Sequence, residues 1–252
     1  MNNGLPVVCI PGLICSPRLY TEQIPSLWTV GPVTVAQHGH HESVAEIARA
    51  ILASAPEHFA LIGLSMGGYV SFEIMRQAPE RVEKLALLDT SARPDTSEQT
   101  ENRRKQIEIA GTVSMSEIAD GLFPKLIHRM RWGDDRLRSL LRQMAEETGR
   151  EGFVRQQTAI MNRPDSRPIL GDIVCPTMVL VGDGDELTPV EIAAEIADGI
   201  AGARLIKVPE CGHLSTLEHQ QQHRPEQPFI DAYPLRHPPL HLYATAMPLR
   251  VP

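Results

Sequence analysis

Gly63-Leu64-Ser65-Met66-Gly67 constrains the fold more than any other stretch of this chain. It directly follows an apolar run, Phe59-Ala60-Leu61-Ile62, and directly precedes a helical pattern from Gly68 to Arg76. A strand must therefore turn sharply into a helix. The flanking glycines carry no Cβ, so the turn can be tight and neighbouring backbone can come close. Ser65 is left at the tip, beside a helix N-terminus whose unpaired N–H groups and dipole favour negative charge. A nucleophilic hydroxyl is presented in this way. The plainer reading, a serine that only caps the helix, loses weight once a base and an acid are found for it.

Short apolar runs alternate with helical patterns through most of the chain. Strands are predicted at Val7-Val8-Cys9-Ile10, Val33-Thr34-Val35-Ala36, Phe59 to Leu64, Leu85-Ala86-Leu87-Leu88, Met178-Val179-Leu180-Val181 and Arg204 to Val208. Several are apolar throughout rather than alternating, which suits a parallel sheet covered on both faces. Ser43 and Glu46 have capping-box spacing ahead of Val44, Ile47, Ala48, Ile51 and Leu52. Ser16-Pro17 reads as a capped helix start, and Thr188-Pro189-Val190-Glu191 as another, with Thr188 as the cap. Residues 92–168 break the alternation: helical patterns lie near Gln99–Ala110, Ser114–Met130, Asp134–Thr148 and Glu151–Asn162, with no strand between them. The expected organisation is an α/β core from 1–91 and 169–218, a helical cap inserted at 92–168, and an irregular tail from 219 to 252. That tail holds seven prolines and four histidines. Proline forbids a long helix there.

Composition narrows the function. A net charge of −7 argues against nucleic acid as a partner. No apolar run approaches bilayer-spanning length, and the first residues carry no basic region followed by a long apolar one. Cys9, Cys15, Cys175 and Cys211 form no CxxC pair and read as small hydrophobes of a reducing, cytoplasmic setting. No metal or cofactor is expected. Phe, Tyr and Trp make up 4% of the chain, which predicts an aliphatic rather than a stacked pocket.

A nucleophilic serine needs a base, and the base an orienting carboxylate, in the chain order Ser, acid, His for this kind of turn. Asp185 follows a strand in Gly182-Asp183-Gly184-Asp185-Glu186-Leu187-Thr188-Pro189, and Asp183 is its rival. His213 follows the last strand in Glu210-Cys211-Gly212-His213-Leu214, where Gly212 would let the loop bend. Both loops leave the carboxyl ends of strands, where ligands of open α/β sheets bind. By themselves, an aspartate in a loop before a helix and a hydrogen-bonded loop histidine need no catalytic explanation.

The Gly-Leu-Ser-Met-Gly-Gly turn, the Gly-Asp-Gly-Asp-Glu-Leu-Thr-Pro loop and Gly-His-Leu together resemble the α/β-hydrolase superfamily, small serine esterase type with a helical cap. The resemblance runs from about Val7 to Glu218. It implies a mostly parallel sheet of about six strands, helices on both faces and an inserted cap. It implies Ser65 as nucleophile, Asp185 as acid and His213 as base. The amides of Met66 and Leu13 become the oxyanion donors, although the Pro11-Gly12 loop departs from the usual His-Gly. The implied activity is cleavage of a small-molecule carboxylic ester through an acyl-enzyme. Lactonase, thioesterase, carbon–carbon bond hydrolase and perhydrolase chemistry stay open, as does a binding protein on a hydrolase scaffold. An aspartate nucleophile, as in epoxide hydrolases, is excluded by Ser65.

Other features read as structural. His38-Gly39-His40-His41 is expected to be a solvated loop. Arg163 to Pro168 should close the cap through local exposed ion pairs, which stabilise little. Met66, Met75, Met115, Met130, Met144 and Met161 read as core or cap filler.

Overall fold

The computed structural model describes residues 4–218, so the tail expected at 219–252 lies outside the described residues. Six strands form one parallel sheet: β1 (Val7–Ile10), β2 (Val33–Val35), β3 (Phe59–Leu64), β4 (Val82–Leu88), β5 (Thr177–Gly182) and β6 (Arg204–Val208), in the order β2-β1-β3-β4-β5-β6. All six lie where the apolar runs predicted, with β4 starting three residues earlier. The reason these strands are apolar throughout is visible in their neighbours. Alternate residues of one strand belong to two different cores: Cys9, Ala60 and Ile62 to one face, Val8, Ile10 and Leu61 to the other. Side chains of a strand alternate in direction, so two covered faces demand an unbroken apolar sequence.

The helices follow in chain order. A 3-10 turn at Pro17–Tyr20 precedes α1 (Ile24–Leu27); Ser16 accepts from the Arg18 N–H, so the proposed cap serves one short turn only. α2 (Val44–Ser54) is capped by Ser43. α3 (Met66–Gln77) leaves the sharp turn and is buried almost throughout. Between β4 and β5 come α4 (Ser97–Ala110), α5 (Met115–Leu126) and α6 (Asp135–Met161), the last broken by left-handed Gly149 (φ 69°). Thr96 and Ser114 form full capping boxes at the first two. α7 (Val190–Gly199) and the short α8 (Ser215–Glu218) complete the described chain. One apolar cluster runs from the α8 side of the sheet into α5 and α6, through Leu64, Leu88, Ile118, Phe123, Leu141 and Met144. The opposite core packs α2, α3 and α7 on the other face.

Two side chains lie otherwise than the sequence predicts. Met130 is 70% exposed, on a 3-10 turn after α5, and fills no core. Arg163 is not an exposed local ion pair: it is buried, joins Asp95 and lies 4.3 Å over the Tyr69 ring. The local pair expected in that stretch is Arg167 with Asp165.

Candidate active site

Ser65 stands between β3 and α3 with φ 54° and ψ −113°, a conformation costly for a residue with a Cβ. Three contacts hold it there. Its N–H donates to the Leu88 carbonyl of β4 at 2.9 Å, and its own carbonyl accepts from Gly68 N–H at 2.9 Å and from the Thr90 hydroxyl at 2.7 Å. The glycines around it are required by close approach. A Cβ on Gly67 would lie 2.0 Å from the Ile10 carbonyl of β1, and one on Gly63 would lie 2.4 Å from the Gly67 carbonyl. The serine bears the strained dihedral and the glycines make room for it.

His213 comes from the loop after β6, its backbone N–H donating to the Leu126 carbonyl at the end of α5. Its buried ring lies with Nε2 2.8 Å from Ser65 Oγ and Nδ1 2.8 Å from Asp185 Oδ2. Asp185, in the loop after β5, accepts on all sides. Oδ2 also receives the Thr188 hydroxyl at 2.7 Å, and Oδ1 receives the N–H groups of Leu187 at 2.8 Å and Thr188 at 3.0 Å. A fully accepting carboxylate puts the imidazole proton on Nδ1 and leaves the Nε2 lone pair facing the serine hydroxyl. Asp183, the rival, does not reach His213; its Oδ1 accepts from Cys211 N–H at 3.4 Å. Thr188 does not cap a helix as its spacing predicted. Pro189 occupies the cap position of α7 without a side-chain bond, and the Thr188 hydroxyl is spent on Asp185. Gly212 is needed for closeness rather than for bending, since a Cβ there would meet His128 N at 2.6 Å.

Opposed forces set the protonation of this cluster. Burial lowers the His213 pKa, but the Asp185 charge and hydrogen bond, aided by Asp89 and Glu218, hold it above the ordinary histidine value. Burial raises Asp185, and the His213 charge and the bonds from His213 and Thr188 overcome it, leaving the carboxyl below the usual range. The sequence assigns no site role to Asp89, which follows β4. It is fully buried, accepts from Gly182 N–H at 3.1 Å and Ser215 N–H at 3.3 Å, and also bonds the Ser215 hydroxyl. Burial, then the neighbouring Asp185 charge, pushes it up to about 8. Glu218 closes the same loop from the other side, accepting from Gly212 N–H at 2.9 Å and His128 N–H at 2.8 Å, and burial raises it to about 7. An aspartate ending an apolar strand beside the Ser65 strand was the available signal for Asp89.

Met66 is the first residue of α3, so its N–H has no acceptor within the helix. Leu13 lies in the loop after β1 and lines the same cavity as Ser65 and His213. The next residue, Ile14, is held at φ 54°, and its N–H donates to Gln156 Oε1 of α6 at 3.0 Å. His38 also braces this loop: its Nε2 lies 2.9 Å from the Gly12 carbonyl. Burial drops its pKa to about 4, so the ring is a neutral donor there, not part of a solvated loop. Cys15 and Ser16 line a separate cavity with His38 and Gln156. Among the described residues, no group of three or more His, Cys, Asp or Glu side chains is placed to hold a metal ion, and no helix is long and apolar enough to cross a membrane.

The chain is similar to known proteins in sequence and fold. Residues 7–230 match the family model described as "Alpha/beta hydrolase family". A pimeloyl-[acyl-carrier protein] methyl ester esterase of Chromobacterium violaceum is 25% identical over 79% of this chain and 82% of its own. A 2-hydroxy-6-oxononadienedioate/2-hydroxy-6-oxononatrienedioate hydrolase of Escherichia coli is 27% identical over 63% of this chain and 57% of its own. Among solved structures, a thermophilic esterase from Thermogutta terrifontis superposes with a TM-score of 0.78 at 28% identity, covering 87% of this chain and 86% of that one.

Proposed function

This chain belongs to the alpha/beta hydrolase family, and we propose that it cleaves small carboxylic esters through an acyl-enzyme on Ser65. The observation that carries the reading is the unbroken chain from Ser65 Oγ to His213 Nε2 and from His213 Nδ1 to Asp185 Oδ2, 2.8 Å at each link. The Ser65 hydroxyl passes its proton to His213 Nε2 as Oγ attacks the ester carbonyl. The oxyanion that forms is held by the Leu13 and Met66 N–H groups. His213 returns the proton to the departing alcohol, and the acyl group stays on Oγ. A water molecule, deprotonated by the same nitrogen, then releases the acid and restores the hydroxyl. Asp185 keeps the ring in the productive tautomer and stabilises the imidazolium. Each oxyanion donor contributes roughly 3–4 kcal/mol to the barrier reduction. Helices α4 to α6 act as the cap that shapes the substrate cavity. The four thiols, three of them buried and none bridged, fit a cytoplasmic protein.

The test is covalent labelling with a fluorophosphonate, read as the mass of the peptide containing Ser65, alongside p-nitrophenyl butyrate turnover. Wild-type protein labels on Ser65, and Ser65→Ala loses the label and about six orders of magnitude in rate. A folded wild-type protein that neither labels nor turns over the ester is a binding protein on this scaffold, and the reading fails.

A further inference from the structure

The cavity over Ser65 has the aliphatic wall that the scarcity of aromatic residues predicted, with Leu13, Leu122, Leu126, Ile160 and Leu214 on it and Tyr69 the one aromatic among the described residues that line it, but it is also charged. It has a volume of about 300 Å³, and Arg93, Arg103, Lys125 and Arg163 line it. Among the described residues no aspartate or glutamate does. The chain as a whole carries −7, so this lining runs against the global charge.

Counting partners shows where the excess sits. Arg103 and Arg163 share one carboxylate, Asp95: Arg103 Nε lies 2.8 Å from Asp95 Oδ2, and Arg163 Nη1 bonds Oδ1. Their remaining contacts are neutral. Arg163 donates to the carbonyls of Arg93 at 3.0 Å and Ile160 at 2.9 Å, and Arg103 to Gln157 Oε1 at 2.9 Å. The side chains of Arg163 and Asp95 are 5% and 1% exposed, and that of Arg103 is 19% exposed. Two guanidiniums against one anion leave a positive remainder where water screens poorly. Arg93 is balanced by Glu195 at 2.8 Å. Lys125 adds a second positive charge at the cavity wall.

Helix α4 adds donors to this charge. Gln99, Asn102, Arg103 and Gln106 fall at i, i+3, i+4 and i+7, one stripe of a helix, and all four line the cavity. The acids of that helix, Glu98, Glu101 and Glu108, fall off the stripe. A cap helix would ordinarily turn apolar residues inward; this one turns polar donors. The hydrogen bonds run one way. Asp95 accepts from Arg103, Gln157 Oε1 accepts from Arg103, and Gln106 Oε1 accepts from Gln157 Nε2 at 2.6 Å. With its oxygen turned to Gln157, Gln106 has NH₂ donors that no described residue takes.

We propose that the ester this site hydrolyses carries a carboxylate, as in the half-ester of a short dicarboxylic acid or the ester of a hydroxy acid. The inference rests on the hydrolytic reading of Ser65 and names its substrate class. An anion in the cavity would neutralise the buried remainder and meet Lys125 and the amide donors of α4. A neutral ester would leave that charge uncompensated.

Two matched pairs test it: monomethyl adipate against methyl hexanoate, and 4-acetoxybutyrate against butyl acetate. The expected result is a kcat/KM about tenfold or more in favour of the anionic member of at least one pair, with the preference shrinking several-fold in Lys125→Met and in high salt. Neutral members turned over as well as or better than anionic ones in both pairs, by protein that labels normally on Ser65, would overturn the charge inference and spare the hydrolytic one. Adipate binding to Ser65→Ala protein, followed by calorimetry, tests the cavity without any turnover. Measurable binding weakened by Lys125→Met supports the inference even if no ester is cleaved, and no binding counts against it.

Discussion

Replacing Asp185 by asparagine changes one oxygen into an NH₂ and leaves the size of the side chain unchanged. In this site that exchange has no harmless orientation. Oδ2 faces two donors, His213 Nδ1–H and the Thr188 hydroxyl, and Oδ1 faces two more, the N–H groups of Leu187 and Thr188. If the amide nitrogen takes the Oδ2 place, it confronts Nδ1–H, and the imidazole can satisfy it only by moving its proton to Nε2, where it blocks the serine. If it takes the Oδ1 place, two backbone donors lose their acceptor, at about 1–3 kcal/mol of stability. The backbone donors are fixed, whereas a histidine can change tautomer, so the first arrangement wins. We therefore expect kcat for p-nitrophenyl butyrate to fall about ten-thousand-fold, or roughly 5 kcal/mol of barrier, with a melting temperature only a few degrees lower. The companion Asp183→Asn, which weakens a single 3.4 Å contact to Cys211 N–H, should stay within a few-fold of wild type. Folded Asp185→Asn protein retaining a tenth of the wild-type kcat would refute this reasoning, as would a larger loss in Asp183→Asn.

Gly67→Ala pushes a methyl group to 2.0 Å from the Ile10 carbonyl, a strand atom that cannot swing aside. A loss of about 3 kcal/mol or more in urea unfolding is expected, with Gly111→Ala, whose Cβ would come no nearer than 3.1 Å to Glu108 O, as the mild comparison. The pH profile follows from His213. Because its pKa is raised and the base must be neutral, the acid limb of kcat/KM should have its midpoint above the ordinary histidine value; a midpoint below that value contradicts the assignment. Stability should show the matching signs. The His213 and Asp89 contributions are complete at low pH and fade as pH rises, Asp89 towards about 8, while that of Asp185 is lost as pH falls through its lowered value. Thermal melts should thus peak on the acid side of neutrality, and a curve still climbing from pH 7 to 9 would count against it.

How much of this was legible in the sequence depends on the distance over which each interaction acts. The strands, the turn around Ser65 and the cap at Ser43 are local, and their residue types sit within a few positions of the structure they specify. Gly149 breaks α6 between the two helical patterns read there, but the pattern at Ser114–Met130 ends earlier, at Leu126, with Pro124 inside the helix. The chain order of Ser65, Asp185 and His213 was readable because each lies in the turn or loop that leaves a strand, and a parallel sheet brings all its strand ends to one edge. The bracing contacts were not. Gln156 reaches Ile14 across 142 positions and His38 reaches Gly12 across 26, with no pattern linking either pair. Thr188 misled because a hydroxyl beside a proline looks like a cap until a carboxylate three residues earlier competes for it. The charge of the cavity wall was not legible because composition averages the whole chain, whereas Arg103 on α4 meets Arg93, Lys125 and Arg163 from three other segments.

The tether from Gln156 to the Ile14 amide ties specificity to chemistry. The helix that helps bound the pocket also clamps the turn that holds Leu13, the proposed oxyanion donor, and that turn contains an isoleucine at an uphill dihedral that would relax if released. Swapping in a foreign lid to broaden the range of accepted esters would therefore slow the reaction unless the newcomer presents an acceptor at the same spot. Evolution of this lineage towards new substrates should proceed more readily through α4, which leaves the clamp alone, than through α6.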